Sequence, residues 1–79
     1  MNKYKVGQAV YWIKESGEVY DDMFVIQRVS IDNLGYHYSL VNSADDIIDW
    51  CREEDVFIEK KNADLESRKR NALERIGVK

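Results

Sequence analysis

The sequence predicts a mainly β protein, in which five short antiparallel strands form a small, strongly bent barrel and one helix follows at the C-terminus. Three observations predict this fold. Five short runs rich in Val, Ile, Tyr, Trp and Phe lie between residues 9 and 59, and short polar connections separate them. From residue 60 onward Ala, Leu, Glu, Lys and Arg dominate, which is typical of a helix.

The strands are predicted at residues 9–14, 23–31, 36–41, 47–51 and 56–59. Gly7, Gly17 and Gly35 lie between apolar runs and indicate turns, because glycine adopts the left-handed backbone conformations that turns require. The connections are too short for the crossover helix that parallel neighbours need. Consecutive strands are therefore expected to pair in the antiparallel direction.

Alternation along each strand predicts which side chains share a face. The expected groupings are Val10 and Trp12 against Tyr11 and Ile13; Val25, Val29 and Ile31 together; and Tyr36, Tyr38 and Leu40 against His37, Ser39 and Val41. Both faces are thus partly apolar. This is expected when one face lines a barrel and the other meets a helix or a partner.

The C-terminal helix is predicted to begin with Asn62 as its N-cap residue. Its apolar residues form a narrow stripe with Lys69 in the middle; they are Leu65, Ala72, Leu73 and Ile76. So small a stripe predicts light packing on the barrel. The expected organisation is a barrel over residues 1–59 and a basic helix over residues 60–79, packed on the barrel or extending from it.

The size and composition exclude several classes of protein. A chain of 79 residues and 9.3 kDa has room for one small core. The single Cys51 cannot form an internal disulfide, and with the single His37 it cannot complete a four-ligand zinc site, so neither metal nor cofactor is predicted. No apolar run approaches the roughly 20 residues of a membrane-spanning helix. The sequence predicts a cytoplasmic protein that does not enter the membrane.

The net charge of −3 is the sum of two unlike segments. Residues 1–58 carry five basic and eleven acidic side chains, a net −6, whereas residues 59–79 carry seven basic and four acidic ones, a net +3. An acidic body is therefore joined to a basic helix, and each is a candidate for contact with an oppositely charged partner.

Four segments carry a resemblance to a known fold family. They are Val6-Gly7-Gln8-Ala9-Val10-Tyr11, Val29-Ser30-Ile31 before the turn at Gly35, Tyr38-Ser39-Leu40-Val41, and Glu53-Glu54-Asp55-Val56-Phe57. Their order resembles the small SH3-like barrels of the Tudor and KOW type, found in many short bacterial and phage proteins. The resemblance covers residue 4 to about residue 59 and implies a 3₁₀ turn before the last strand. It also implies binding on an aromatic-lined rim, for which Tyr11, Tyr20, Tyr36, Tyr38 and Trp50 are the candidates.

Catalysis is not predicted. His37 lies between two tyrosines in a predicted strand, with no Ser or Cys at a spacing that would let it act as their general base. Cys51 lies among acidic residues, which raise a thiol pKa and so oppose a nucleophilic role. The sequence therefore favours a binding protein over an enzyme.

Six carboxylates occur in eleven positions, against one Arg52; they are Asp45, Asp46, Asp49, Glu53, Glu54 and Asp55. A solvated loop that keeps a small protein soluble is the plain interpretation. A calcium loop needs a central glycine, which this run lacks. The functional interpretation is a rim that contacts a basic protein surface, formed by Asp45, Asp46, Asp49, Glu53 and Glu54 together with Tyr36 and Tyr38.

The functional hypothesis is a non-catalytic binding module, a small bacterial or phage accessory protein that contacts another protein through an acidic and aromatic surface. It would act in the host cytoplasm if encoded by a phage, and would inhibit a host factor by mimicking the charge of nucleic acid. The alternative is a nucleic-acid-associated regulator that uses Arg68, Lys69 and Arg75 of the basic helix. Neither the partner nor the oligomeric state follows from the sequence.

Overall fold

The computed structural model describes the backbone of residues 4–77 and the side chains of residues 4–73. The elements are β1 (Ala9–Trp12), β2 (Phe24–Asp32), β3 (Gly35–Val41), β4 (Ile47–Arg52), a 3₁₀ turn (Glu53–Asp55), β5 (Val56–Phe57) and helix α1 (Lys60–Gly77). The predicted strands, the turn before the last strand and the helix are confirmed, and each strand end lies within two residues of its predicted position.

The strands form one antiparallel sheet in the order β4-β3-β2-β1-β5. Strands β1 to β4 pair with their neighbours along the chain, and β5 returns to pair with the other side of β1. Within the described residues the sheet is open, with β4 and β5 at its edges, whereas the sequence predicts closure into a barrel. The part of the chain described contains no helix long and apolar enough to cross a membrane.

The core lies on one face of the sheet and draws side chains from every strand. Its buried members are Tyr4, Val10, Phe24, Ile26, Tyr38, Leu40, Cys51 and Val56. The rings of Tyr4 and Tyr38 meet edge to face at 5.5 Å, and the Tyr4 hydroxyl donates a 2.7 Å hydrogen bond to the carbonyl of Val56. These contacts tie the segment before β1 to β3 and to the edge strand β5.

A bulge around Gln27 interrupts the pairing of β2 with β3. Ile26 lies opposite Leu40, but the next pair joins Arg28 to Ser39. An extra residue in one strand moves the following side chains to the other face of the sheet. Val25 is therefore 43% exposed, whereas Val29 packs against the core. The prediction that these two valines share a face is wrong for this reason.

Helix α1 packs against the sheet through the side opposite its apolar stripe. Ala63 is fully buried, the Ser67 hydroxyl donates a hydrogen bond to the carbonyl of Gly17, and Arg70 reaches Asp55 at 2.8 Å. Gly17 has a φ of +95°, and a Cβ there would lie 2.9 Å from the side-chain oxygen of Asn71. The turn that holds Gly17 is therefore part of the surface on which the helix rests.

The predicted apolar stripe points away from the sheet. Leu65 is 58% and Leu73 is 59% exposed, and Ala72 is exposed as well. The side chain of Ile76 lies outside the described residues. The stripe was expected to supply the contacts with the sheet, and that expectation is wrong, because Ser67 and Arg70 on the opposite side find polar partners there.

The helix begins two residues before the predicted N-cap. The carbonyl of Glu59 accepts hydrogen bonds from the backbone N–H groups of Asn62 and Ala63, both at 3.2 Å. The Asn62 side chain donates to the Glu59 carboxylate at 3.2 Å. Glu59 therefore occupies the capping position, and Asn62 lies in the first turn.

Candidate functional site

A second bulge, in β4, gives Trp50 an unusual backbone conformation. Leu40 lies opposite Ile48 and Tyr38 lies opposite Cys51, so Asp49 and Trp50 together face the single residue Ser39. Trp50 has a φ of +63° and is 44% exposed. The left-handed region costs a side chain of this kind about 1–2 kcal/mol. Such strain concentrates at functional sites, and bulges redirect side chains there.

Trp50 and Trp12 line one groove, which we call the tryptophan groove. Its volume is about 240 Å³, and its other polar lining residues are Glu15, Asp49, Arg52 and Asp55. Two core rings position Trp12, since Phe24 meets it edge to face at 6.0 Å and Tyr20 lies at 6.1 Å. One wall of the groove is thus fixed by the core, and the other is the strained residue of β4.

Some charged side chains around the tryptophan groove are paired with other residues, and others are not. Asp55 is paired with Arg70 of the helix at 2.8 Å, and Arg52 with Glu54 at 3.2 Å. Among the described residues the side chains of Glu15 and Asp49 have no hydrogen bond or ion pair. The groove therefore combines indole surface with free carboxylates, the chemistry that holds a lysine or arginine side chain.

A hydrogen bond joins two acidic loops at the end of the sheet where β2 and β4 begin. The Tyr20 hydroxyl donates to Asp46 at 2.6 Å, and the Asn42 side chain donates to the same carboxylate at 3.1 Å. The bond from Tyr20, with that from Asn42, lowers the pKa of Asp46, and the same bond raises the pKa of Tyr20. Four exposed carboxylates gather here, the acidic end: Asp21, Asp22, Asp45 and Asp46.

An apolar row crosses the outer face of the sheet beside the acidic end. Val25 pairs with Ala9 on one side and Val41 on the other, and Val41 pairs in turn with Ile47. Directly paired residues project from the same face of a sheet, and the face is the outer one because Val25 and Ile47 are 43% and 57% exposed. We call Ala9, Val25, Val41 and Ile47 the apolar row.

The six carboxylates of the acidic run do not form one rim. Asp45 and Asp46 precede β4, whereas Glu53, Glu54 and Asp55 follow it, and a strand of this length spans about 20 Å. Glu53 accepts a 2.5 Å hydrogen bond from the Tyr38 hydroxyl. Glu54 and Asp55 are paired with arginines, so the second half of the run has partners within the fold. In the run as a whole, the carboxylates of Asp45 and Asp49 are the ones that have no partner among the described residues.

The two tyrosines proposed for the rim lie in or against the core. Tyr38 is fully buried, and Tyr36 packs against the core and is partly exposed. Tyr38 therefore presents no surface to a partner. Its ring is needed in the core because it meets the ring of Tyr4.

The basic residues proposed for nucleic-acid binding are divided. Arg68 and Lys69 are exposed on α1, while the side chain of Arg75 lies outside the described residues. Arg70, which directly follows Lys69, donates to Glu66 at 2.9 Å, to Asp55 at 2.8 Å and to the carbonyl of Glu54 at 3.1 Å. The helix thus uses one of its arginines for its own attachment.

Cys51 is a buried residue at the wall of the tryptophan groove, whereas His37 borders a different groove. Burial, with a further contribution from Asp55, raises the pKa of Cys51 to about 12, so its thiol stays protonated at neutral pH. His37 lies 3.7 Å from Asp32 and borders a groove that it shares with Trp50 and Ser30. Across the described part of the chain, no cluster of three or more His, Cys, Asp or Glu side chains could hold a metal ion.

Comparison with protein families, with characterised proteins and with solved structures finds no match for this chain. The function is therefore argued from the groove itself.

Two members of the tryptophan groove escaped the sequence analysis. Neither Trp12 nor Glu15 is among the site residues that the sequence predicts, because the pattern places Trp12 within a strand and Glu15 in a polar connection. Trp50 was identified as a rim candidate, but no sequence pattern indicates that a tryptophan adopts a positive φ. Since β4 carries no glycine at the bulge, the usual signal for such a bulge is missing.

Proposed function

We propose that this protein is a non-catalytic binding module whose tryptophan groove receives a basic side chain of another protein. The single observation that carries the proposal is the placement of Trp12 and Trp50 in one groove with the free carboxylates of Glu15 and Asp49. A cation over an indole face is attracted by the ring's negative face, and a nearby carboxylate adds a charged hydrogen bond.

The proposed fold class is that of the small SH3-like barrels. Two features support it: β1 pairs with both β2 and β5, and the 3₁₀ turn at Glu53–Asp55 lies directly before β5. The resemblance to this class implies ligand binding on an aromatic-lined rim. The tryptophan groove, bordered by β1, β4 and the 3₁₀ turn, corresponds to such a rim.

The charge of the body supports a basic partner. Residues 1–58 carry a net −6, and a field of that sign attracts a basic surface and repels acidic competitors. A partner that ordinarily binds phosphates has the required chemistry, so a protein of this kind would compete with nucleic acid for that partner. We propose that the chain is an accessory protein of a bacterium or phage and that it acts in the cytoplasm.

A peptide titration tests this proposal directly, because both tryptophans of the chain line the groove and their fluorescence reports its occupancy. An acetylated hexalysine peptide is the probe, and a hexaglutamate peptide is its control. We expect hexalysine to change the emission, salt to weaken the effect, and the Glu15→Gln/Asp49→Asn variant to weaken it at least tenfold.

The matched control is Asp21→Asn/Asp45→Asn, which also removes two negative charges, but from exposed positions outside the groove. It should bind hexalysine nearly as well as the parent protein. Equal weakening in both double variants would reduce the effect to net charge and overturn the groove as the site. Capture from a bacterial lysate with the same variants would then identify the natural partner.

Nucleic-acid binding through α1 remains the alternative, and the exposure of Arg68 and Lys69 supports it. A gel shift at two salt concentrations separates the two functions, because phosphate contacts weaken steeply with salt. Charge reversal at Arg68 and Arg75 would abolish such a shift and leave the hexalysine titration unchanged.

A further inference from the structure

Helix α1 presents an apolar face with basic residues on the side away from the sheet. Every fourth position from residue 61 is exposed, in the order Lys61, Leu65, Lys69 and Leu73. This spacing places the four side chains along one side of the helix, and Ala72 lies beside them. We call these five residues the helix outer face. Exposed leucines on a helix that is already attached by its other side indicate a second contact.

The apolar row on the sheet is the natural counterpart of the helix outer face. The row crosses four strands, which places its ends about 14 Å apart. Leu65 and Leu73 are eight residues apart, and a helix advances about 12 Å over that distance. The two apolar surfaces therefore match in length.

The charges beside the two surfaces are opposite. Ile47 at one end of the row follows Asp45 and Asp46 directly, and the Tyr20 bond brings Asp21 and Asp22 to the same end. Lys61 and Lys69 lie beside the leucines of the helix outer face. Burial of the leucines against the row would bring ammonium groups to the acidic end. Both the apolar and the charged parts of the two surfaces are thus complementary.

The two surfaces cannot meet within one molecule. Ser67 and Arg70 hold α1 against Gly17 and Asp55, so the helix outer face points away from the sheet that carries it. Only another molecule can bring a helix outer face onto the apolar row. Contacts in which the helix outer face of each copy sits on the apolar row of the next are heterologous, and each added copy then leaves one surface of each kind free.

We propose that the chain self-associates head to tail, with the helix outer face of one copy seated on the apolar row of the next. The groove proposed above as the partner site takes no part in this contact. The residues that make it are Leu65, Lys69 and Leu73 on one copy, and Val25, Val41 and Ile47 with Asp45 on the other. Association should weaken as salt is added, since part of the attraction is between exposed charges.

Sedimentation velocity across micromolar to millimolar concentrations tests the proposal with two single variants. Leu65→Ser removes apolar surface from the helix, and Ile47→Ser removes it from the row. Each is expected to weaken association at least tenfold, whereas Leu34→Ser, at an 87% exposed leucine in the β2-β3 turn, should associate like the parent. Circular dichroism melting confirms that all three variants are folded.

Mixing the two weakened variants separates this arrangement from helix-to-helix and row-to-row pairing. Growth of the parent protein beyond a dimer separates it from a two-fold dimer in which each helix sits on the other copy's row, and a parent that stops at the dimer would overturn it. Each variant keeps one intact surface, so an equimolar mixture should form a 1:1 complex at concentrations where either variant alone is monomeric. A parent protein that stays monomeric throughout would overturn the proposal. So would association that Leu65→Ser abolishes and Ile47→Ser leaves intact, which indicates helix-to-helix pairing. The hexalysine titration uses neither surface, so its result tests the partner site independently of self-association.

Discussion

The hydroxyl of Tyr20 lies 2.6 Å from Oδ2 of Asp46, and this one bond joins loops that are 26 residues apart in the sequence. Tyr20 also packs against the core through Phe24, whose ring lies 4.8 Å away. The bond therefore fixes the loop before β4 to the core. It also explains why Asp46, unlike its neighbour Asp45, has a role in holding the fold together.

Removal of the Asp46 carboxylate should cost more stability at neutral pH than in acid. The bonds from Tyr20 and Asn42 lower the pKa of Asp46 in the folded protein. Such a group stabilises the fold above its unfolded pKa, about 3.9, and this contribution is lost as the pH falls through the lower folded value. Urea unfolding of Asp46→Asn should therefore differ from the parent at pH 7 and approach it at strongly acidic pH.

Asp45→Asn is the control for that experiment, because the Asp45 side chain makes no described hydrogen bond and the φ of +64° at this position suits asparagine. It should unfold like the parent at both pH values. A difference between Asp46→Asn and the parent that does not change with pH would show that the carboxylate's ionisation contributes nothing.

Cys51 should be unreactive in the folded protein. Burial, assisted by Asp55, raises the pKa of its thiol to about 12, and only the thiolate attacks disulfide reagents rapidly. At pH 8 we expect a colorimetric disulfide reagent to modify Cys51 no faster than the chain unfolds, and at once in concentrated urea. The same shift predicts that stability falls as the pH rises from about 8.5 toward the folded value. Rapid modification of the native protein would contradict the buried placement.

Arg70→Ala should loosen the attachment of helix α1. The guanidinium bonds Glu66, Asp55 and the carbonyl of Glu54, and hydrogen bonds to charged groups contribute about 1.5–3 kcal/mol. We expect a loss of about 1–3 kcal/mol in the free energy of unfolding. Arg68→Ala, two positions away and exposed, is the matched control and should stay within about 0.5 kcal/mol. Equal effects from both would show that the Asp55 contact does not hold the helix.

Trp12→Ala should destabilise the fold by about 3 kcal/mol or more, since truncation of a large aromatic packed against a core costs about 3–5 kcal/mol. The structure supports this expectation through the contacts of Trp12 with Phe24 and Tyr20. Trp50→Ala is the comparison, because Trp50 is more exposed and its backbone is strained. In thermal melting, Trp12→Ala should lower Tm clearly and Trp50→Ala should lower it little.

The sequence predicts the order and position of the elements well, because strand composition and short connections are local properties. It cannot predict the two bulges, whose effect is to reverse a face, as at Val25 and Val29, or to turn out one side chain, as at Trp50. The sequence also does not predict which side of helix α1 packs against the sheet. Leu65 and Leu73 have the spacing of core residues. They are exposed because Ser67 and Arg70, on the opposite side of the helix, bond to residues that are distant in the sequence.

The bulge at Trp50 has a consequence for the free edge of the sheet. Strand β4 is an edge strand, and a regular edge offers its N–H and C=O groups as a template on which strands of other chains can add. With Asp49 and Trp50 together facing Ser39, the spacing of those groups is broken in the middle of the strand. A continuous intermolecular ladder cannot form along it, so the irregularity that turns Trp50 outward also protects a concentrated solution of this protein against fibril growth from that edge.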